Sequence, residues 1–172
     1  MNIATSFLVM IPLLAAFQGR SGFASEASPS SEPVDQVVAV KSQRTLTLLS
    51  KGRMVRSYKV ALGGEPTGAK RQQGDHKTPE GQYVLDRRNG KSRFYRSIHI
   101  SYPNESDRQW AEKQGASPGG DIMIHGLPNG FGWLGAVHRE RDWTDGCIAV
   151  TDKEMDEIWA LVRDGTPIEI KP

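Results

Sequence analysis

The chain has one cysteine, four histidines and no run of basic residues longer than two. Each scarcity excludes something. A lone cysteine, Cys147, cannot form an internal disulfide, so this is not a disulfide-stapled scaffold. The histidines stand at 76, 99, 125 and 138 with no HExxH or paired CxxC spacing, so no metal centre is expected. With 22 basic against 20 acidic residues and no basic stripe, nucleic acid and electrostatic membrane binding are not expected. No apolar run reaches the ~20 residues of a spanning helix. The longest, from Ile3 to Phe17, is broken by Pro12.

That run is the core of an expected secretory signal over residues 1–24. No acidic residue precedes it, and Gly22 and Ala24 are small residues before a cut at Ser25. An exported protein, in the periplasm or cell envelope, follows. Residues 25–35 (SEASPSSEPVD) read as a flexible linker, leaving one folded domain over 36–172. A free thiol in an oxidising compartment is a liability unless it is buried and inert or is used.

The domain opens with β patterns. Residues 37–41 (VVAVK) and 45–49 (TLTLL) are short β-branched runs, and the second alternates threonine with leucine. Strands are also expected over 54–62, 82–87, 96–102 and 167–170, with Ile98 and Ile100 on one face and His99 on the other. The apolar Ile122-Met123-Ile124 is expected to be a central strand. Residues 63–81 form a long loop with five glycines, too long for a plain connector. His76, within it, and His99 read as solvated or hydrogen-bonded structural residues. Ser106 to Gln109 has capping-box spacing for a short helix, and so has Thr151 to Glu154 for a longer one. Met155, Ile158, Trp159 and Val162 then share one helical face, and Gly165 is expected to close that helix. The expected fold is mainly β (a β-rich α+β chain), a sandwich or barrel with one or two short helices and no βαβ alternation.

The chemistry concentrates in Asp121 to Val150, which holds Cys147, His125, His138 and five glycines. A cysteine nucleophile needs a neighbouring base to take its proton. His125 ends an apolar strand, a rigid mount, and Gly126 lets the backbone turn there. His138 is nearer in sequence but lies in a polar loop. Gly146 before Cys147 allows a turn that aims amide groups at one point. Thr144 and Asp145 could orient the imidazole or bind substrate.

Ile124-His125-Gly126, the glycine-rich loop, and Thr144-Asp145-Gly146-Cys147 together resemble the catalytic motif of the L,D-transpeptidase family (the YkuD domain). Residues 74–81, with Thr78-Pro79-Glu80-Gly81, resemble the family's segment before a strand. The resemblance covers residues 36–171. It implies an L,D-transpeptidase-type β-sandwich, with Cys147 as nucleophile and His125 as general base. The Gly126 carbonyl would hold the His125 ring, and amides at Gly146 and Cys147 would form the oxyanion hole. Thr144, Asp145, His138 and Arg141 are expected on the substrate. Asp145 stands where the family often has histidine, and Ala149 where it often has arginine or asparagine. Arg139 or Arg141 would then supply the missing anchor. The implied activity is a peptidoglycan L,D-transpeptidase needing no cofactor. It would form a thioester with a stem tetrapeptide and transfer it to an amine of a second stem or of a protein. The alternatives are an L,D-carboxypeptidase or hydrolase using water, and a non-catalytic wall-binding module.

Overall fold

A computed structural model of the chain describes Met1 and residues 33–172. The expected leader and most of the linker fall outside the described residues. Val34 and Asp35, at the linker's end, are already part of the fold. Val34 is buried in the core, and Asp35 donates its N–H to Leu49 O at 3.0 Å.

Eight strands form one mixed sheet: β1 (Gln36–Val40), β2 (Thr45–Ser50), β3 (Arg53–Lys59), β4 (Gly81–Asn89), β5 (Ser97–Ile100), β6 (Met123–His125), β7 (Ile148–Ala149) and β8 (Thr166–Lys171). Their spatial order is β3-β2-β1-β8-β4-β5-β6-β7. The first three make an antiparallel meander, as the short turns demand. β1–β8 and β6–β7 are the two parallel pairs. The threonine–leucine alternation of β2 is realised, with Leu46 and Leu48 fully buried. β6 is not central as expected. It is next to the end of the sheet, and β8 and β4 hold the middle. Ile124 faces the core, while Met123 and His125 turn to the other face of the strand.

That curl brings the sheet's two ends together. Beyond β3, Ala61 exchanges two backbone hydrogen bonds with Ala149 of β7, at 3.0 and 2.9 Å. Thr144 N–H reaches Leu62 O at 3.1 Å, and Gly64 N–H reaches Thr144 O at 3.0 Å. The enclosed core runs through Val37, Leu48, Leu85, Ile98, Ile124, Ile148 and Ile168. This is the β-rich sandwich with short helices that the strand patterns called for.

Two α-helices flank the sheet, α1 (Glu105–Lys113) and α2 (Asp152–Leu161). The α2 capping box is Thr151 with Glu154, as expected, and Met155, Ile158 and Val162 enter the core. Trp159 is only partly buried, with the Arg88 guanidinium over its ring. Gly165 lies past the helix end, in the turn into β8. The α1 cap differs from the one expected. Asn104, not Ser106, is the cap, and Asp107 closes the box. Ser106 instead donates its hydroxyl to Asn104 Oδ1 at 2.8 Å. Two overlapping box spacings compete there, and Asp107 also accepts from the buried Tyr83 hydroxyl, which favours the earlier start. Asn104→Ala is therefore expected to lower stability by about 1 kcal/mol, and Ser106→Ala by less than half of that, in urea unfolding. Equal losses would contradict this cap.

Candidate active site

His125 ends β6, and Cys147 immediately precedes β7. Ile124 pairs with Ile148 and His125 with Ala149 in parallel register. One step back, Cys147 lies beside Met123. Side chains alternate along a strand, so Met123, His125, Cys147 and Ala149 share one face. That register unites a thiol and an imidazole from distant positions. Both line a cleft of about 610 Å³, together with Phe94, Asp121, Trp143 and Arg93.

The imidazole is buried and held at one nitrogen. Its Nδ1 lies 2.6 Å from Gly126 O. A carbonyl can only accept, so Nδ1 carries the proton and the neutral ring keeps its lone pair on Nε2. Phe94 packs on the ring with centroids 4.6 Å apart, and Trp143 meets it edge-on at 5.7 Å. Burial pushes the pKa of His125 below the usual histidine range, against the pull of the Gly126 hydrogen bond.

Cys147 is half-buried. Burial pushes its thiol up to about 11; the Met123 N–H aimed at the sulfur opposes this, and the Asp145 and Asp121 carboxylates add to it. The thiol donates to Asp121 O at 3.6 Å. The resting pair is thus a neutral thiol and a neutral imidazole, with the base's lone pair free.

The turn before the thiol is held from both sides. Thr144 is buried, donating its hydroxyl to Cys147 O at 2.7 Å and accepting from Gly146 N–H at 3.1 Å. Thr144 therefore shapes the turn, and the structure does not offer its hydroxyl to substrate as expected. The Gly146 amide is likewise committed, which leaves the Cys147 amide of the two expected oxyanion donors. Gly146 has φ +119°, and a Cβ there would lie 2.5 Å from Lys77 O, so only glycine fits.

Lys77 belongs to the long 63–81 loop, which packs against this turn. Lys41 pins the loop by donating to Gly68 O, Thr78 O and Glu80 Oε1. Asp75 ties it internally. Burial disfavours the Asp75 charge, but the Arg71, Gln72 and Lys77 amides and Lys70 outweigh it and bring its pKa to about 2.

The other expected residues fall in different places. Asp145 points outward at the rim and pairs with His76 Nδ1 at 2.8 Å, so Asp145 does not orient His125. His76 is exposed but partnered. His99 pairs with Asp86 at 2.7 Å, as its structural reading required. Arg141 is exposed and outside the cleft lining, and Arg139 is bound to Glu154. His138 is buried on the far side of Trp143, in a separate pocket. Lys91 and Arg93, from the loop after β4, are the exposed cations of the cleft. They and Phe94 were missed, and the signal was the glycine-flanked basic and aromatic segment at residues 90–96.

A match to the YkuD family, the L,D-transpeptidase catalytic domain, spans residues 35–170. The chain belongs to this family. It is 31% identical to Escherichia coli (strain K12) YafK over 169 residues, covering 90% of this chain and 61% of YafK. The helical cell shape determining protein Pgp2 from Campylobacter jejuni is similar in structure, with TM-score 0.63 and 27% identity over 83% of this chain and 49% of Pgp2. An L,D-transpeptidase from Mycobacterium smegmatis shares the fold, with TM-score 0.52 at 14% identity over 80% of this chain and 58% of that chain. The chain thus spans about half to three-fifths of the length of these relatives.

A YkuD thiol set in this way predicts a slow reagent reaction at neutral pH. A raised pKa keeps Cys147 protonated, so its iodoacetamide alkylation rate should climb as pH rises toward about 11. Intact mass against pH measures it. A rate already at its plateau at pH 7 would mean a preformed thiolate and contradict the geometry.

Proposed function

We propose that this domain is a cysteine acyltransferase acting on peptidoglycan stem peptides, with Cys147 as nucleophile and His125 as general base. The observation that carries the reading is the His125 Nδ1–Gly126 O hydrogen bond, which directs the ring's lone pair to Nε2 in the cleft that holds the thiol. The family membership supplies the substrate class. The leader-like residues 1–24 support action outside the cytoplasmic membrane, in the periplasm or cell envelope. Among the described residues no helix is long and apolar enough to cross a membrane.

The chemistry follows from the protonation states. Sγ attacks the carbonyl at the L-centre of diaminopimelate in a stem tetrapeptide while its proton passes to His125 Nε2. The collapse of the tetrahedral intermediate breaks the bond to D-alanine, whose nitrogen takes that proton. A thioester remains on Cys147. An acceptor amine then attacks it, gives a proton to His125, and expels the sulfur, which recovers the proton as thiol. Because both groups rest neutral, proton transfer accompanies attack, a general-base step and not a stored ion pair. The buried, aromatic-walled setting strengthens the amide donor at Cys147 toward the developing oxyanion. The scheme calls on no metal or organic cofactor. The acceptor is the side-chain amine of a second stem in the primary reading, or an amine on a protein.

Incubation with a carbapenem is expected to add one drug mass to the mature protein and none to Cys147→Ala. His125→Ala should slow acylation by roughly 100-fold or more. An adduct that survives Cys147→Ala would overturn the assignment. Disaccharide tetrapeptides then separate the acceptors. Cross-linked dimers are the expected product, whereas tripeptide without dimer would make the enzyme a carboxypeptidase.

A further inference from the structure

The cleft separates its charges by element. Asp121 and Asp145 stand on the segments beside the thiol, whereas Lys91 and Arg93 stand on the loop between β4 and β5. The arginines on either side of that loop serve the fold: Arg88 binds Asp164 at 2.9 Å, and Arg96 binds Asp156 at 2.8 Å. Lys91 and Arg93 do not. Both are exposed, and among the described residues neither side chain has an ion-pair or hydrogen-bond partner. An unpaired cation on open surface is ordinary, because water solvates it. Two of them lining the cleft that holds a nucleophile form a site for an anion.

The loop that displays them is tied down. Asn129, in the segment that follows His125-Gly126, clamps it at three points. Its N–H donates to Arg93 O at 3.0 Å, its Nδ2 donates to Ser92 O at 3.1 Å, and its Oδ1 accepts from Tyr95 N–H at 2.9 Å. Within the loop, Asn89 Oδ1 accepts from Lys91 N–H at 2.9 Å, and the buried Ser92 hydroxyl oxygen accepts from Phe94 N–H at 3.0 Å. All of these bonds engage loop backbone and leave the two cationic heads free. Phe94, next to Arg93, packs on the His125 ring. The backbone of Arg93 is therefore held in a fixed place relative to the imidazole, as a recognition group requires. The other positions considered for an anchor are closed: Ala149 is fully buried, Arg139 is bound to Glu154, and Arg141 lies outside the cleft lining.

We infer that Arg93, assisted by Lys91, is the specificity residue of this cleft and binds a carboxylate of the stem peptide. A guanidinium presents a planar fork that matches a carboxylate with two parallel N–H···O bonds, and a neighbouring ammonium adds charge. Asp121 and Asp145 repel a carboxylate from the thiol's side, which directs it to the loop. The inference rests on the reading of stem peptides as substrate. The two carboxylates nearest the scissile bond are the terminal one of D-alanine and the one at the D-centre of diaminopimelate, and both offer the same group. The contact acts in binding while the thiol and imidazole do the chemistry, so its loss belongs in KM.

The test measures release of the C-terminal residue from three disaccharide tetrapeptides by the mature protein. One has free carboxylates, one is amidated at the D-centre, and one ends in D-alaninamide. Arg93→Ala should raise KM for the free peptide about tenfold and leave kcat within about twofold. Arg93→Lys should recover part of that loss, and Arg141→Ala should match the wild type. Amidating the carboxylate that Arg93 holds should weaken wild-type binding by a similar factor and Arg93→Ala no further, so this non-additivity names the carboxylate. Iodoacetamide, which is uncharged, should alkylate Cys147 in Arg93→Ala at the wild-type rate, showing an intact site. An unchanged KM in Arg93→Ala, losses that add for both amides, an equal loss in Arg141→Ala, or altered alkylation would overturn the inference. A wild type that forms the carbapenem adduct yet releases nothing from any peptide would refute the stem-peptide reading and this inference with it. Release that is indifferent to Arg93→Ala condemns the anchor alone.

Discussion

The parallel pairing of β6 with β7 is the constraint on which the site depends. Ile124 and Ile148 are fully buried partners, and Val150 N–H closes the ladder on His125 O at 3.0 Å. A slip of one residue in β7 would turn Cys147 to the opposite face and bring Ile148 to the side of His125. The apolar pair therefore sets the geometry of the polar one. From the other side, Ser97 of β5 pairs with His125, so the histidine backbone is bonded across two strands. A side chain on so short a strand is rigid because its neighbours are.

Around this pair the sheet's closure removes water. Ala61 and Ala149 join the two ends of the sheet next to Cys147, and the 63–81 loop, pinned by Lys41, packs its backbone against Gly146. Phe94 and Trp143 cover the imidazole. The consequence is electrostatic. Desolvation disfavours both charged forms, so the thiol's pKa rises and the imidazole's falls. The sulfur keeps its proton at neutral pH, and a protonated thiol reacts slowly with oxidants.

Much of this was legible in the sequence because local patterns and tertiary packing agree. The alternation in TLTLL, the Thr151–Glu154 box and the apolar run into His125-Gly126 each specify one outcome. The α1 cap was misplaced by two residues because two box spacings overlap, and the Tyr83 contact that decides between them is long-range. Residues 122–124 looked central because all three are apolar, yet a short apolar run does not distinguish a mid-sheet strand from one whose outer face lines a cleft near the sheet's end. The Asp145–His76 pair spans 69 residues, and no local pattern encodes it. Thr144 was read as a substrate contact, yet its hydroxyl closes on the turn itself, a role that depends on backbone shape. His138 matched in residue type but was placed by Trp143 in another pocket.

The Gly126 carbonyl holds His125 as a neutral ring protonated on Nδ1, with the lone pair on Nε2. Nitrogen-15 NMR of the histidine-labelled protein reads this tautomer directly. Across neutral pH His125 should show a protonated Nδ1 and an unprotonated Nε2, unchanged in Cys147→Ser. A His125 imidazolium at neutral pH, or a proton resting on Nε2, would contradict it.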